Sequence, residues 1–326
     1  MVRTVYLSKE GKLQTDLTQI DIAFALQDVQ GLLWVDFEAV PDAESEPILL
    51  KTFGFHPLAV DDALQESHVP KLDDWGSYLY IVLHAVVYDE KEGIDTQELD
   101  VFVGKNYMVT HHDRPIEAIE RLWNTIQRDD RRLKSGADHL LYRLTDEIVA
   151  GYLPVEERLD IEIDQIEDAM FGKWDSSMLE KVFKTKRSVI NLRRNLAPQR
   201  EVLNKLARDE LSVIDERDRI YFRDVYDHMV RLYEITESAR DLVSGTMDTY
   251  LSVTNNRMNE IMKTLTVITT LFMPISFVAS FFGMNFFQPS TPLDIWTGLP
   301  AFWITLLMVI LTPIGMFSWM RRRRWM

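Results

Sequence analysis

Two stretches late in the chain carry no charge at all: 19 residues from Thr264 to Phe282 and 26 from Ile295 to Met320. At about 1.5 Å rise per residue, roughly 20 apolar residues cross the hydrocarbon core of a bilayer as a helix. Both stretches therefore predict membrane spans, joined by a short turn on the far side. Upstream, the first 110 residues hold short runs rich in β-branched and aromatic residues. Leu32-Leu33-Trp34-Val35, Tyr78 to Tyr88 and Leu99 to Thr110 read as strands, with turn residues such as Glu92-Gly93 between them. Acidic helical segments separate these runs, which predicts an α/β layer. From Pro115 onward the strand signals stop. One helix is predicted from about Ala137 to Phe171 and a second from about Ser177 to Asp209, with a turn over Gly172 to Ser176. A third begins near Glu216, meets no proline before Pro274 and has Gly245 as its weak point. Unbroken to Phe282, it would be a rod about 100 Å long.

This pattern divides the chain into an α/β domain (1–136), an antiparallel helical pair (137–215), a stalk helix (216–263), a first span (264–282), an outer loop (283–300), a second span (301–320) and a basic tail (321–326).

Charge sharpens the picture. The chain as a whole carries −15, yet everything after Met262 contains one acid, Asp294, and five bases, Lys263 and Arg321 to Arg324. Subtracting these leaves 50 acids and 31 bases in residues 1–262, a formal charge of −19. Such a surface repels nucleic acid and suits cations as partners. Four consecutive arginines directly after the second span, against a connecting loop without Lys or Arg, place both termini on the cytoplasmic side of an inner cell membrane. No apolar core follows the charged N-terminal residues, so no cleaved signal peptide is expected. The absence of cysteine excludes disulfides and thiolate metal sites.

Other absences restrict the chemistry. No two of the thirteen glycines lie closer than eleven residues, so no Gly-x-Gly or P-loop can cradle a nucleotide. Neither span contains an acid or a histidine, which disfavours a buried proton relay. The first span instead carries a stripe. Asn259, Met262, Thr266, Thr269, Met273, Ser276 and Ser280 recur at three- and four-residue steps and so share one face. Small and hydroxyl residues on one face serve helix packing as readily as a pore. Two spans cannot enclose a conduit alone, so a pore requires a symmetric oligomer. His111-His112-Asp113-Arg114 is the one cluster that suggests catalysis. Adjacent residues at a strand end point to opposite faces, which is poor geometry for it, and the protein is not expected to be an enzyme. The acids Glu156, Glu157, Asp160, Glu162, Asp164, Glu167 and Asp168, and the bases Lys181, Lys184, Lys186, Arg187, Arg193 and Arg194, read as solvated or mutually paired helix faces.

Met273-Pro274-Ile275-Ser276-Phe277, then Phe282-Gly283-Met284-Asn285-Phe286, a second span and a basic tail resemble the CorA magnesium transporters. Tyr221-Phe222-Arg223-Asp224-Val225-Tyr226-Asp227-His228 and Val243-Ser244-Gly245 resemble the cytoplasmic stalk of that family. The resemblance implies a funnel-shaped homopentamer with an α/β cytoplasmic domain and a stalk helix continuing into the pore-lining span. It further implies a selectivity filter at Gly283, Met284 and Asn285. Mg2+ holds its octahedral water shell tightly, so a ring of neutral amides that bonds those waters can select the ion without stripping it. Met262, Leu265 and Met273 match positions of pore constriction, and Asn259 and Ser276 match polar pore positions, with Thr266, Thr269 and Ser280 on the same wall. Ser276 stands where the family usually has threonine, Ser280 where glycine is frequent and Phe282 where tyrosine is. The outer turn lacks the family's usual acid, leaving cation capture to Asp294 or Asn285.

By the same resemblance, Asp89 and Asp224 match carboxylates that bind regulatory Mg2+ between subunits and close the channel. Arg321, Arg322, Arg323 and Arg324 serve topology and can oppose cation exit electrostatically. The function implied is passive entry of hydrated Mg2+ driven by the membrane potential. Transport of Co2+, Ni2+ or Zn2+ within the same superfamily, and a membrane-anchored sensor without a pore, are the alternatives.

Overall fold

The computed structural model describes residues 1–326 except 66–68, 90–92, 171–175, 284–297 and 324–326. It forms two compact units, Met1–Met247 and Asp248–Met326. The strands are β1 (Val2–Leu7), β2 (Leu13–Thr15), β3 (Leu32–Glu38), β4 (Lys71–Asp74), β5 (Leu79–Asp89), β6 (Gly93–Val103) and β7 (Tyr107–His112). They make one seven-stranded sheet in the order β2-β1-β3-β7-β6-β5-β4. Only the β3–β7 pairing is parallel.

Both faces of this sheet are covered. Leu33, Val35 and Phe37 of β3 point into a core with Ile22 and Ala25 of α1 (Gln19–Gln27) and Ala59 and Val60 of α3 (Pro57–Leu64), while α2 (Asp42–Pro47) leads into a π-helical turn carrying buried Leu49. Trp34 points the other way, into a larger core. That core takes in α4 (Glu117–Arg128), α5 (Ala137–Ala150), α6 (Leu153–Met170), α7 (Ser176–Arg208) and the first turns of α8 (Arg219–Gly283) as far as Val243. The last helix is α9 (Leu299–Arg322). A strand buried on both faces reads as a continuous apolar run rather than an alternation, which is why Leu32 to Val35 stands out in the sequence.

Three features differ from the sequence expectation. The run from Leu99 to Thr110 is two strands, because Gly104 turns the chain and its N–H donates to the Tyr107 carbonyl at 3.0 Å. A side chain at Gly104 would collide with the Tyr107 ring, 2.3 Å from where its Cβ would sit. The helix expected from Ala137 to Phe171 breaks at Gly151-Tyr152 into α5 and α6. Pro154 has no N–H to continue the α5 ladder and restarts the helix in its first turn. Finally, β1, β2 and β4 are strands that the sequence reading does not pick out, although Val5 and Leu7 of β1 and Leu72 of β4 enter the larger core. The sheet and the helices through residue 247 share one unit, and the division expected at 136/137 falls between α4 and α5 within the larger core.

A buried ionic network fastens β1, β3, β7 and α4. Arg3 donates to Asp36 from Nε at 3.1 Å and Nη2 at 2.7 Å, and to Glu120 of α4 at 2.6 Å. The Thr110 hydroxyl donates to Asp36 Oδ1 at 2.5 Å and accepts from Trp34 Nε1 at 3.0 Å. His112 Nε2 lies 3.2 Å from the same carboxylate. Burial alone would push the Asp36 carboxyl up. The bonds from His112, Thr110 and Arg3 outweigh it and hold the group below the usual range. Burial likewise opposes the His112 charge, and Asp36 more than offsets it, raising the imidazole above its ordinary value.

The directions fix a pH window. The His112 contribution to stability is complete below the unfolded value of 6.5 and is lost as pH rises through the raised folded value. The Asp36 contribution is present above the unfolded 3.8 and is lost as pH falls through the depressed folded value. Thermal stability of the detergent-solubilised chain is therefore expected to be greatest between these two values and to fall on either side. Asp36→Asn is expected to cost about 3–5 kcal/mol, since it leaves buried charge uncompensated, and to flatten both flanks. A variant with the wild-type pH profile would remove this pair from the account.

Candidate ion path and regulatory residues

Helix α8 carries the candidate path. It is 65 residues long and holds Pro274 near its far end. The ring of Pro274 removes one backbone donor and frees the carbonyl of Thr270. Met262, Leu265, Thr266, Thr269, Met273, Ser276 and Ser280, with Asn259 before them, are all solvent-exposed in the single chain. At 3.6 residues per turn, these eight positions fall within an arc of about 120°. The three methionine and leucine side chains project between hydroxyls and the Asn259 amide, giving alternating apolar and polar levels along one wall.

The threonine hydroxyls have defined donors and acceptors. Thr264 donates to the Glu260 carbonyl at 2.9 Å, Thr266 to Met262 at 2.7 Å and Thr269 to Leu265 at 2.9 Å. Each proton is thus spent on the helix itself, and each oxygen keeps lone pairs that can only accept. An acceptor facing outward suits the hydrogens of a hydrated cation.

Gly283 ends α8, and a Cβ placed there would meet open space. Met284 and Asn285, the other two residues of the expected filter, lie outside the described residues, as do Asp294 and Arg324. Helices α8 and α9 are each long and apolar enough to cross a membrane, and neither apolar segment is buried within the chain. In α9, Arg321 and Arg322 occupy the last turn, and the Arg323 guanidinium sits 5.9 Å from the Trp319 ring centroid.

The two regulatory candidates come from separate elements. Asp89 closes β5 opposite Gly93, and its side chain lies outside the described residues. Gly93 holds a φ of +90°, which opens the β5–β6 hairpin at this point. Asp224 is exposed on the second turn of α8, two positions after buried Phe222 and one before buried Val225. The fold also places Asp146 of α5 near it. Burial is the main cause that pushes the Asp146 carboxyl up, opposed by Arg143 and His228 and reinforced by Glu147 and Asp224. Sequence reading missed this neighbour, because 78 positions separate Asp146 from Asp224 and no periodicity links them. Among the described residues no group of three His, Asp or Glu side chains is spaced to hold a metal ion.

The histidine pair behaves as strand geometry dictates. His112 turns toward Asp36 and Trp34, while His111 turns toward Phe37, with ring centroids 6.5 Å apart. His111 lines a polar cavity of about 380 Å³ together with His84, Glu98 and Asp100. Burial pushes the Asp100 carboxyl well up, and Tyr80 donates to it at 2.6 Å. His112 borders the same cavity.

Comparison with known proteins agrees with this architecture. The family described as CorA-like Mg2+ transporter protein matches residues 29–322. YfjQ of Bacillus subtilis is 34% identical over 293 residues, 90% of this chain and 89% of that one. The cobalt/magnesium transport protein CorA of Thermotoga maritima is 32% identical over 271 residues, 82% of this chain and 77% of the relative. The complete structure of the CorA magnesium transporter from Methanocaldococcus jannaschii superposes with a TM-score of 0.82 at 25% identity, covering 99% of this chain and 98% of the other. The family match over residues 29–322, with two relatives above 30% identity across most of the chain, establishes that the chain belongs to the CorA-like Mg2+ transporter family.

Proposed function

We propose that the protein is a channel of the CorA type that admits hydrated Mg2+ passively and is closed by Mg2+ bound between its cytoplasmic domains. As a member of its family it transports divalent cations and is not an enzyme. The observation that carries the finer reading is the wall of alternating hydroxyl, amide and apolar side chains along α8, which ends at Gly283 directly before Met284-Asn285. Acceptor oxygens with their protons already committed can bond the waters of the ion's shell without replacing them. Apolar rings at Met262, Leu265 and Met273 would close the path by dewetting. A homopentamer in the inner membrane, with both termini cytoplasmic, places these walls around one axis. Inward movement then needs no nucleotide, because a divalent ion gains about 4.6 kcal/mol per 100 mV of membrane potential.

Cobalt is the second ion to consider, since the Thermotoga maritima relative is named for both cobalt and magnesium. A filter that reads a hydrated ion sees two octahedral shells of similar form.

Flux into liposomes, with Mg2+, Co2+ and Zn2+ in competition, tests the filter. Asn285→Ala is expected to lower Mg2+ flux at least about tenfold, the equivalent of about 1.4 kcal/mol, while oligomer size is unchanged. Undiminished flux would reject Asn285 as the selecting group, and no flux from the wild-type chain would favour a sensor without a pore.

Regulation has its own test. Two carboxylates facing each other across subunits repel unless a divalent cation bridges them. Added Mg2+ is therefore expected to protect the wild-type chain from proteolysis, and Asp89→Lys with Asp224→Lys to abolish that protection. Equal protection in the double variant would take both residues out of the regulatory role.

A further inference from the structure

Helices α6 and α7 pack against each other through Val155, Leu159, Ile163 and Ile166 on one and Val182, Val189, Leu192 and Leu196 on the other. Their outer faces are opposite in charge. Helix α6 carries seven acids and one base, and α7 carries nine bases and two acids. The single base of α6, Arg158, is occupied by the Tyr88 ring, 4.2 Å from its centroid. On α7, Arg193 pairs with Glu237, and Arg200 and Arg208 lie over Tyr233 and Tyr226. The exposed charges of α6 include Glu157, Asp160, Asp164 and Asp168, and those of α7 include Arg187 and Arg194. None of these six has an ion-pair partner among the described residues.

Each charged face also exposes apolar side chains at helical spacing. On α6, Leu153 and Ile161 are 55% and 56% exposed, and on α7, Phe183 and Ile190 are 53% and 49% exposed. Beside α7 runs a groove of about 570 Å³, walled by Glu180, Phe183, Lys184, Arg187 and Asn191 on the helix and by Ile94 and Asp95 on β6; the bases on its helix side are Lys184 and Arg187. Acids with flanking aliphatics on one face, and bases with an aromatic and an aliphatic on the other, are complementary surfaces. A single chain cannot join them, because the inner sides of the two helices already pack together.

From this complementarity we infer that α6 of one copy docks on the α7 groove of the next, a head-to-tail contact that repeats around a closed ring. Such a contact is heterologous: every copy gives its acidic face once and receives once on its basic face. Ile161 then packs beside Phe183, and Glu157, Asp160 and Asp164 face Arg187 and Arg194. The inference rests on the homo-oligomer of the proposed function and adds which surfaces meet.

Because the chain has no cysteine, introduced thiols report contacts without background. Full-length Ile161→Cys/Phe183→Cys protein in membranes, oxidised mildly with copper phenanthroline, is expected to give a ladder of disulfide-linked species that collapses on reduction. Each single variant is expected to give none. Adding Arg187→Glu and Arg194→Glu should weaken the ladder at least tenfold, and further Glu157→Lys and Asp164→Lys changes in the same chain should restore it. Overturning results are of three kinds: no intermolecular product from an oligomer of normal native mass, a fast-migrating intrachain product alone, or equal dimer formation by Ile161→Cys by itself. A monomeric native mass would overturn the oligomer together with this contact, whereas an intact oligomer without the ladder overturns the contact only.

Discussion

A sheet covered by helices on both faces can hold a charge only if that charge is paired, and Asp36 is where this constraint is met. Its carboxylate sits in β3 with no access to water and takes bonds from both neighbouring strands, from Arg3 of β1 and from Thr110 and His112 of β7. Arg3 carries the network outward to Glu120 and stacks against Trp123, whose ring meets Trp34 at 4.9 Å. The register of β1 against β3, the parallel seating of β7 and the docking of α4 are therefore specified together. Slipping β1 by one residue would turn Arg3 to the opposite face and strand Asp36. Everything that packs on the larger core, from α5 to the first turns of α8, inherits its position from this arrangement.

How much of this was legible in the sequence follows from the length scale of each cause. The spans and the long α8 helix depend on uninterrupted composition, which a linear reading captures. Strand β3 shows itself because burial on both faces leaves no polar alternation. Strand β1 does not, because Arg3 and Thr4 look like surface residues until Asp36, 33 positions away, is placed beside them. The hairpin at Gly104 and the break before Pro154 each turn on one residue within an otherwise continuous pattern. A single residue of that kind is a weak signal until its surroundings are known. Gly104 must be small only because the Tyr107 ring lies over it.

The candidate site divides along the same line. The stripe on α8 needs nothing but helical periodicity, so the eight positions assigned from spacing and resemblance share one exposed face of the helix. The surroundings of Asp224 require the fold, since Asp146 reaches it from α5. The charges of α6 and α7 are the most instructive case. In sequence they form mixed tracts that suggest mutual neutralisation. In the folded hairpin Arg193 pairs with Glu237 of α8, while Glu157, Asp160, Asp164 and Asp168 of α6 and Arg187 and Arg194 of α7 lie exposed without an ion-pair partner among the described residues.

The threonines of α8 carry a consequence for how such a protein is made. A hydroxyl entering hydrocarbon alone would need a partner from another helix. Here Thr264, Thr266 and Thr269, and Thr312 of α9, each find one four residues back in their own helix. A newly synthesised chain can thus enter the bilayer singly with these threonine hydroxyls already satisfied toward lipid. Insertion and assembly become separable events, and the wall that would later face water can wait in the membrane until neighbouring copies arrive.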